Sequence, residues 1–327
     1  MRRLTVIVVV LAALWGAWWW VGATATERGL RAFLGRMEAE GWTVRYDGLD
    51  TRGFPSRFDT TADGLLLAAP NGPEVSLPFF QTLMLAYAPN RAIAVWPPEW
   101  RVGDVVVISD TMRASLALGA SADLPLRRLT ANAAPVAAEG AGWRASAAEM
   151  RAASEASPLA RNGQHVGLLL SDLLLPAFAR EVVDPSGRFP ERVERLHLDA
   201  VVGFDRPWDR HTLLSPRLPQ PTRLSLDSLS FEWGRLELNA EGALDMDAAG
   251  VPTGRVVLRL AGWEDLLALG EELGLVPPDY APLVRQAMTV LDAMDGGADG
   301  IETALVFEGG RATLGPIPLG PAPRLRY

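Results

Sequence analysis

The sequence predicts a mainly β protein (β-rich α+β): an amino-terminal membrane helix, then a curved antiparallel β body with two helices from the carboxy-terminal half packed on it. Three observations carry this. An uncharged apolar run of helical length opens the chain, short alternating or apolar segments punctuated by Gly, Pro, Asn and Asp fill most of it, and two stretches of helical spacing come late. With 327 residues, 49% of them apolar and 21% charged, the chain has enough apolar material for one or two packed cores. Its 31 Gly and 25 Pro are scattered without period, which excludes collagen and low-complexity coil.

The run from Leu4 to Val21 is about 27 Å long as a helix, close to the thickness of a bilayer core. Arg2 and Arg3 precede it and Glu27 follows, so the positive-inside rule keeps the amino terminus in the cytoplasm and exports the body. Ala23-Thr24-Ala25 is a small-residue cleavage site, which supports a signal peptide. An uncleaved signal anchor is the favoured reading, because the run exceeds the ~7 to 15 residues of a signal-peptide apolar region. Trp15, Trp18, Trp19 and Trp20 also crowd its outer end, where indoles suit the headgroup layer. Residues 26–40 continue the helix amphipathically, with Leu30, Phe33, Leu34 and Met37 on one stripe.

Strands are predicted at Trp42 to Tyr46, Leu65 to Ala69, Leu83 to Tyr87, Ile93 to Trp96, Val105 to Ser109 and Ala114 to Leu118. Asp63-Gly64, Pro70-Asn71-Gly72, Pro89-Asn90, Pro97-Pro98 and Gly103-Asp104 are read as the breaks between them. Ala131 to Ala160 suits helix and strand equally. Leu168 to Ala177 and Val193 to Phe204 read as strands, and the Pro-rich 206–222 as an irregular crossing loop. From Thr222 to Ala261 the alternation is clearest, with a parity shift at Asp227-Ser228 that signals a β-bulge and a hairpin turn around Asp247 to Gly250. Two helices follow. Trp263 to Leu273 carries Trp263, Leu266, Leu267 and Gly270 on its apolar stripe, and a helix begun at Asp279 carries Leu283, Val284, Ala287, Val290, Leu291 and Met294. A closing strand at Thr303 to Phe307 precedes a Pro-rich tail. The expected organisation is thus an anchor at 1–25, its amphipathic continuation at 26–40, a β-rich lobe at 41–205, the crossing loop at 206–222 and a second lobe at 223–327.

Composition narrows the chemistry. All 31 basic residues are Arg, so Schiff-base, P-loop and Ser-x-x-Lys mechanisms are excluded. The absence of Cys excludes disulfides, thiolate catalysis and Cys-ligated metal centres. A formal charge of −8 argues against nucleic acid as a partner. His165, His197 and His211 show no metal-ligand spacing, and His197 reads as an edge or core histidine. There is no Gly-x-Ser-x-Gly elbow and no Gly-x-Gly-x-x-Gly loop. Asp245, Asp247 and Gly250 imitate the start of a calcium loop, but Ala249 and Val256 stand where ligands are required. Asp295 to Glu302 reads as a helix stop and turn. No catalytic residue, cofactor or metal site is assigned.

Gly53-Phe54-Pro55-Ser56-Arg57, the segment from Tyr87 through Pro89, Asn90, Arg91 and Trp96 to Pro97, and the tail Leu314 to Pro321 together resemble the uncharacterised, mainly alphaproteobacterial family called domain of unknown function 2125. The resemblance covers nearly the full length and implies an envelope protein. It carries no catalytic residues: position 91 is often His in that family, and Arg91 here argues against a catalytic histidine. The block Leu236 to Leu260 is similar in strand and glycine pattern to the closing repeats of AsmA-type envelope proteins, which are associated with lipid traffic.

Three functions of different class are expected, in order. The first is a noncatalytic protein anchored in the bacterial inner membrane, its body in the periplasm, binding an apolar envelope molecule, a lipid, on a concave sheet. The second is a scaffold that meets an envelope protein through Trp96, Pro97, Pro98 and Trp100. The third is a hydrolase with an unrecognised carboxylate pair. At residues 53–57, Gly53 permits a sharp turn and Pro55 extends Phe54, which delivers Phe54 inward as a buried anchor, while Arg57 pairs with Asp59 or Asp63.

Overall fold

Every strand pairing with a defined register is antiparallel, as the alternating patterns and short turns require. The computed structural model describes residues 1–212, 217–274, 276, 279, 281–294, 300–315 and 317–325. The sequence features expected at Pro216, Pro277-Pro278, Asp295 to Asp299 and Pro316 lie outside them. The Cα packing divides the chain into two compact units, residues 1–120 with 129–142 and residues 121–128 with 143–327.

The first unit begins with helix α1 (Arg2–Ala39), which runs unbroken through the apolar run, the tryptophans and the amphipathic segment. Strands β1 (Thr43–Arg45) and β2 (Gly48–Arg52) pair with successive parts of the long β3 (Arg57–Ala68), which pairs with β4 (Glu74–Leu85). The sheet then divides along β4. Its carboxy-terminal half pairs with β5 (Ala88–Val95), and its start pairs with β6 (Glu99–Val102). β7 (Val105–Ser109) pairs with β6, and β8 (Met112–Leu118) with β5. Of β9 (Leu126–Ala133), residues 129–133 belong to this unit, and β10 (Val136–Gly140) pairs with β7.

Two expected breaks are interior to strands. Asp63-Gly64 lies within β3, where Gly64 adopts φ +59° and a Cβ would stand 2.2 Å from Asp47 Oδ2. Pro89-Asn90 lies within β5. There Met84 faces Ala92 while Leu85 faces Ala88, so residues 89–91 are extra on that strand and form a bulge. Pro89, which has no N–H, suits a position without a ladder bond on that side. Asn90 Nδ2 donates to Leu118 O at 2.7 Å and ties the bulge to β8.

The second unit is a meander of β11 (Trp143–Ala147), β12 (Glu149–Ser157), β13 (Gly163–Leu174), the short helix α2 (Ala177–Val183), β14 (Arg192–Phe204), β15 (Pro221–Trp233), β16 (Leu236–Met246) and β17 (Pro252–Ala261). Helices α3 (Trp263–Glu272) and α4 (Ala281–Met294) interrupt it before β18 (Ile301–Glu308), β19 (Arg311–Leu314) and β20 (Ile317–Pro321). The ambiguous middle of the sequence is strand: β12 pairs with β13 over nine positions, from Glu149↔Ser171 to Ser157↔Gly163. The parity shift at Asp227-Ser228 is a bulge against β16, whose register slips between Leu226 and Leu229. The 206–222 stretch is no lobe boundary. It joins β14 to β15, neighbours paired from Arg195↔Glu232 to Phe204↔Pro221, and so lies within the second unit.

Both late helices pack on this sheet. Trp263, Leu267, Leu269 and Met288 share a core with Trp233, Leu236, Leu260, Phe189 and Ile301. The packing faces are rotated from those the sequence suggests: Leu266, Leu283 and Val290 are exposed. Asp184 closes α2 and is buried, its carboxylate accepting from the amides of Arg188 at 2.8 Å and Phe189 at 3.0 Å. Removing it leaves two amides without their acceptor, so Asp184→Ala should lower stability by about 1–3 kcal/mol, read from urea unfolding of the full chain. Around Asp247 the hairpin expectation holds, since its Oδ1 accepts from the amides of Ala249 (2.7 Å) and Val251 (2.9 Å).

Candidate functional site

In the first unit the 53–57 segment is the β2–β3 loop, and it closes on α1 at the tryptophans. Gly53 adopts φ +106° and its carbonyl accepts from Arg57 N at 2.9 Å; a Cβ there would stand 2.8 Å from Arg57 Cβ. The Phe54–Pro55 peptide bond is cis. Trp15 Nε1 donates to Pro55 O at 2.8 Å and Trp19 Nε1 donates to Arg57 O at 2.7 Å. Ala86 N, in the β4–β5 turn, donates to Ser56 O at 2.9 Å. Loop and turn thus form one clasp on the helix.

Phe58 and Phe54 divide the aromatic work differently from the sequence expectation. Phe58 is 3% exposed and packs with Ala23, Ala86, Trp19 and Met84. Gly22 makes room for it, since a Cβ at position 22 would stand 2.3 Å from Phe58 Cζ. Phe54 is 60% exposed, with an edge contact to Trp19 at 5.5 Å between ring centroids. Its delivery inward as a buried anchor is therefore corrected. The turn aims it along α1, and the interior place is taken by the strand residue four positions on. Phe54→Ala should then cost no more than the aromatic pair, about 0.5–1.5 kcal/mol in a melting or urea experiment. Arg57 pairs with Asp59 at 2.8 Å as expected.

Trp15, Trp18 and Trp20 are exposed, and the apolar run before them is bare: none of its most apolar 18-residue window is buried. One helix is thus long and apolar enough to cross a membrane. Beyond it, Leu30 and Leu34 pack on the sheet while Phe33, expected on the same stripe, is 54% exposed.

Trp96 and Trp100 join the cluster of Leu49, Ala62, Leu65 and Leu77 under α1, with Phe80 edge-on to Trp96 at 5.2 Å. Of the group expected on an exposed partner surface, Pro98 is exposed, Trp96 and Trp100 are half-buried against this cluster and Pro97 is buried. Among the described residues, Trp100 Nε1 has no hydrogen-bond partner.

The opposite face of the same strands is mixed, a short apolar row flanked by Arg57 and Asp59 of β3 and by Ser115 and Arg113 of β8. Leu83 and Leu85 alternate onto one side of β4, and Ile93 of β5 stands opposite Leu83 with Val95 beyond it. Leu85, Tyr87 and Ile93 are exposed, at 37%, 66% and 42%. Pro89 and Arg91 are exposed on the adjoining bulge, and Asn90 is half-buried. Register alone joins these residues to the clasp, through the β4–β5 turn.

In the second unit, His165, Asp199 and Asp227 each bring a potential ligand atom within 4.8 Å of the others. Sequence spacing does not show this, because the three stand on different strands, β13, β14 and the bulge of β15. The bulge was the available signal. His165 and Asp199 hydrogen-bond to each other and are about half exposed. His197, half-buried on β14, lies 3.4 Å from Ser228 Oγ through Nδ1.

The family model described as an uncharacterized protein conserved in bacteria (DUF2125) matches residues 19–323. The chain belongs to this family. The match takes in the clasp, the β5 bulge and both late helices. No curated protein and no solved structure matches the chain.

Proposed function

We propose that this DUF2125 member is a noncatalytic protein of the bacterial cell envelope, anchored in the inner membrane by an uncleaved α1 with its body in the periplasm. On this reading the body holds an apolar envelope molecule, a lipid, on its sheet. The observation that carries the reading is the short apolar row Leu85, Leu83, Ile93 and Val95, of which Leu85 and Ile93 are exposed and Leu83 and Val95 half-buried, and which starts at the turn clasped to the outer end of the anchor. Apolar side chains left in water at a sheet surface mark a binding surface when they are contiguous, and this lane leads from the membrane onto the body. The anchor reading is supported by the continuity of α1 through Ala23-Thr24-Ala25 and by the burial of Ala23 against Phe58. A signal peptidase needs that segment free of such packing. The scaffold alternative is less supported, because Trp96 and Trp100 are half-buried against the β3–β4 cluster and only Pro98 of that group is exposed.

Native mass spectrometry of the full chain, purified in mild detergent, tests the lane. Wild-type protein should carry lipid that an Ile93→Asp variant lacks. Position 93 is exposed enough for the variant to fold, and an unchanged melting temperature checks this. Equal lipid on both proteins contradicts the reading.

A further inference from the structure

We propose that the clasp itself, Phe54 in the β2–β3 loop and Tyr87 in the β4–β5 turn, is seated inside the leaflet on the body's side of the membrane. This rests on the anchor reading and adds a second membrane contact to it. The first argument is depth. Trp15 lies about 17 Å and Trp19 about 22 Å along the helix from Leu4, at 1.5 Å per residue. A hydrocarbon core is about 30 Å thick. If Leu4 enters the core beside Arg2 and Arg3, then both indoles, and the Pro55 and Arg57 carbonyls bonded to them, lie within it. Helical side chains also lean toward the amino terminus, which sets those carbonyls lower still.

The second argument is hydrogen-bond accounting. Irregular backbone survives in hydrocarbon only where its polar groups find partners within the protein. Four carbonyls of the clasp meet this condition, Gly53 O accepting from Arg57 N, Pro55 O from Trp15, Ser56 O from Ala86 N and Arg57 O from Trp19, while the amide and carbonyl of Phe54 and the amide of Ser56 have no partner among the described residues. The third is side-chain character. What the clasp presents outward is Phe54, Tyr87 and Leu85, at 60%, 66% and 37% exposure. Arg57 pairs with Asp59, and Arg52 at the base of the loop pairs with Asp50; both have the reach to snorkel. Trp18 and Trp20 are exposed on the same stretch of helix.

The chain has no cysteine, so single reporters can be placed cleanly. Phe54→Cys, Tyr87→Cys, Leu14→Cys within the run and Glu74→Cys at the far end of β4 would each be labelled with bimane. The full chain is then reconstituted in phosphatidylethanolamine–phosphatidylglycerol vesicles containing doxyl-labelled lipid. Labels at 54 and 87 should lose fluorescence to a degree comparable with position 14, while position 74, about 36 Å along the strand from Leu85, should lose none. Quenching at 14 with none at 54 and 87 overturns the seated clasp and leaves the anchor standing. No quenching at 14 removes the anchor, and the seated clasp with it. Two separate clasp reporters guard against misfolding of either one.

Discussion

Phe58→Ala is expected to destabilise the first unit by about 3–5 kcal/mol, the usual cost of truncating a buried aromatic without refilling its space. The ring is 3% exposed and lies where α1, the β2–β3 loop and the β4–β5 turn meet. Gly22 lies against the ring without a side chain, so the helix cannot fill the space there. Hydrogen exchange should show the loss first at residues 19–30 and 53–58, because the clasp is fastened through the same junction. The complementary variant, Gly22→Val, pushes branched carbon into the ring and should cost about 1–3 kcal/mol by overpacking. Exchange unchanged in both variants would mean that α1 does not dock on Phe58.

Trp233→Ala should cost the second unit about as much, about 3–5 kcal/mol from truncation. Trp233 is 5% exposed, stacks on Phe189 at 4.5 Å with the rings 21° apart, and donates from Nε1 to Pro190 O at 2.9 Å. It also holds Leu236 and Trp263 in one cluster, which links the β15–β16 hairpin to α3. Trp233→Phe should recover most of the packing and lose chiefly the hydrogen bond, about 0.5–1.5 kcal/mol. Urea unfolding of the two variants, compared with wild type, separates these contributions. Equal stability of all three would contradict this core.

Much of the fold is legible locally. The bulge at Asp227-Ser228, the Asp247 turn and the start of α3 at Trp263 each follow from neighbours a few residues apart, where alternation and turn chemistry act. The stretch from 131 to 160 was not legible, because Ala and Ser impose neither period, and its strand character comes from pairing, of β10 with β7 and of β12 with β13. Phe54 and Phe58 illustrate the same limit at the candidate site. Both lie in or beside one marked motif, but which of them is interior depends on Trp19 and Gly22, more than thirty residues earlier. The Pro-rich 206–222 stretch resembled a domain linker because loop composition does not reveal that the strands on either side are partners. The convergence of His165, Asp199 and Asp227 likewise exists only through inter-strand register.

The central claim is that α1 stays on the body and holds it in the membrane. Intact-mass analysis of the protein from the alkaline-washed membrane fraction of a bacterial host tests it most directly. The account predicts a chain that begins at Met1 and remains in the membrane pellet after the wash; a chain that begins at Thr26 and is recovered in the soluble fraction would contradict it.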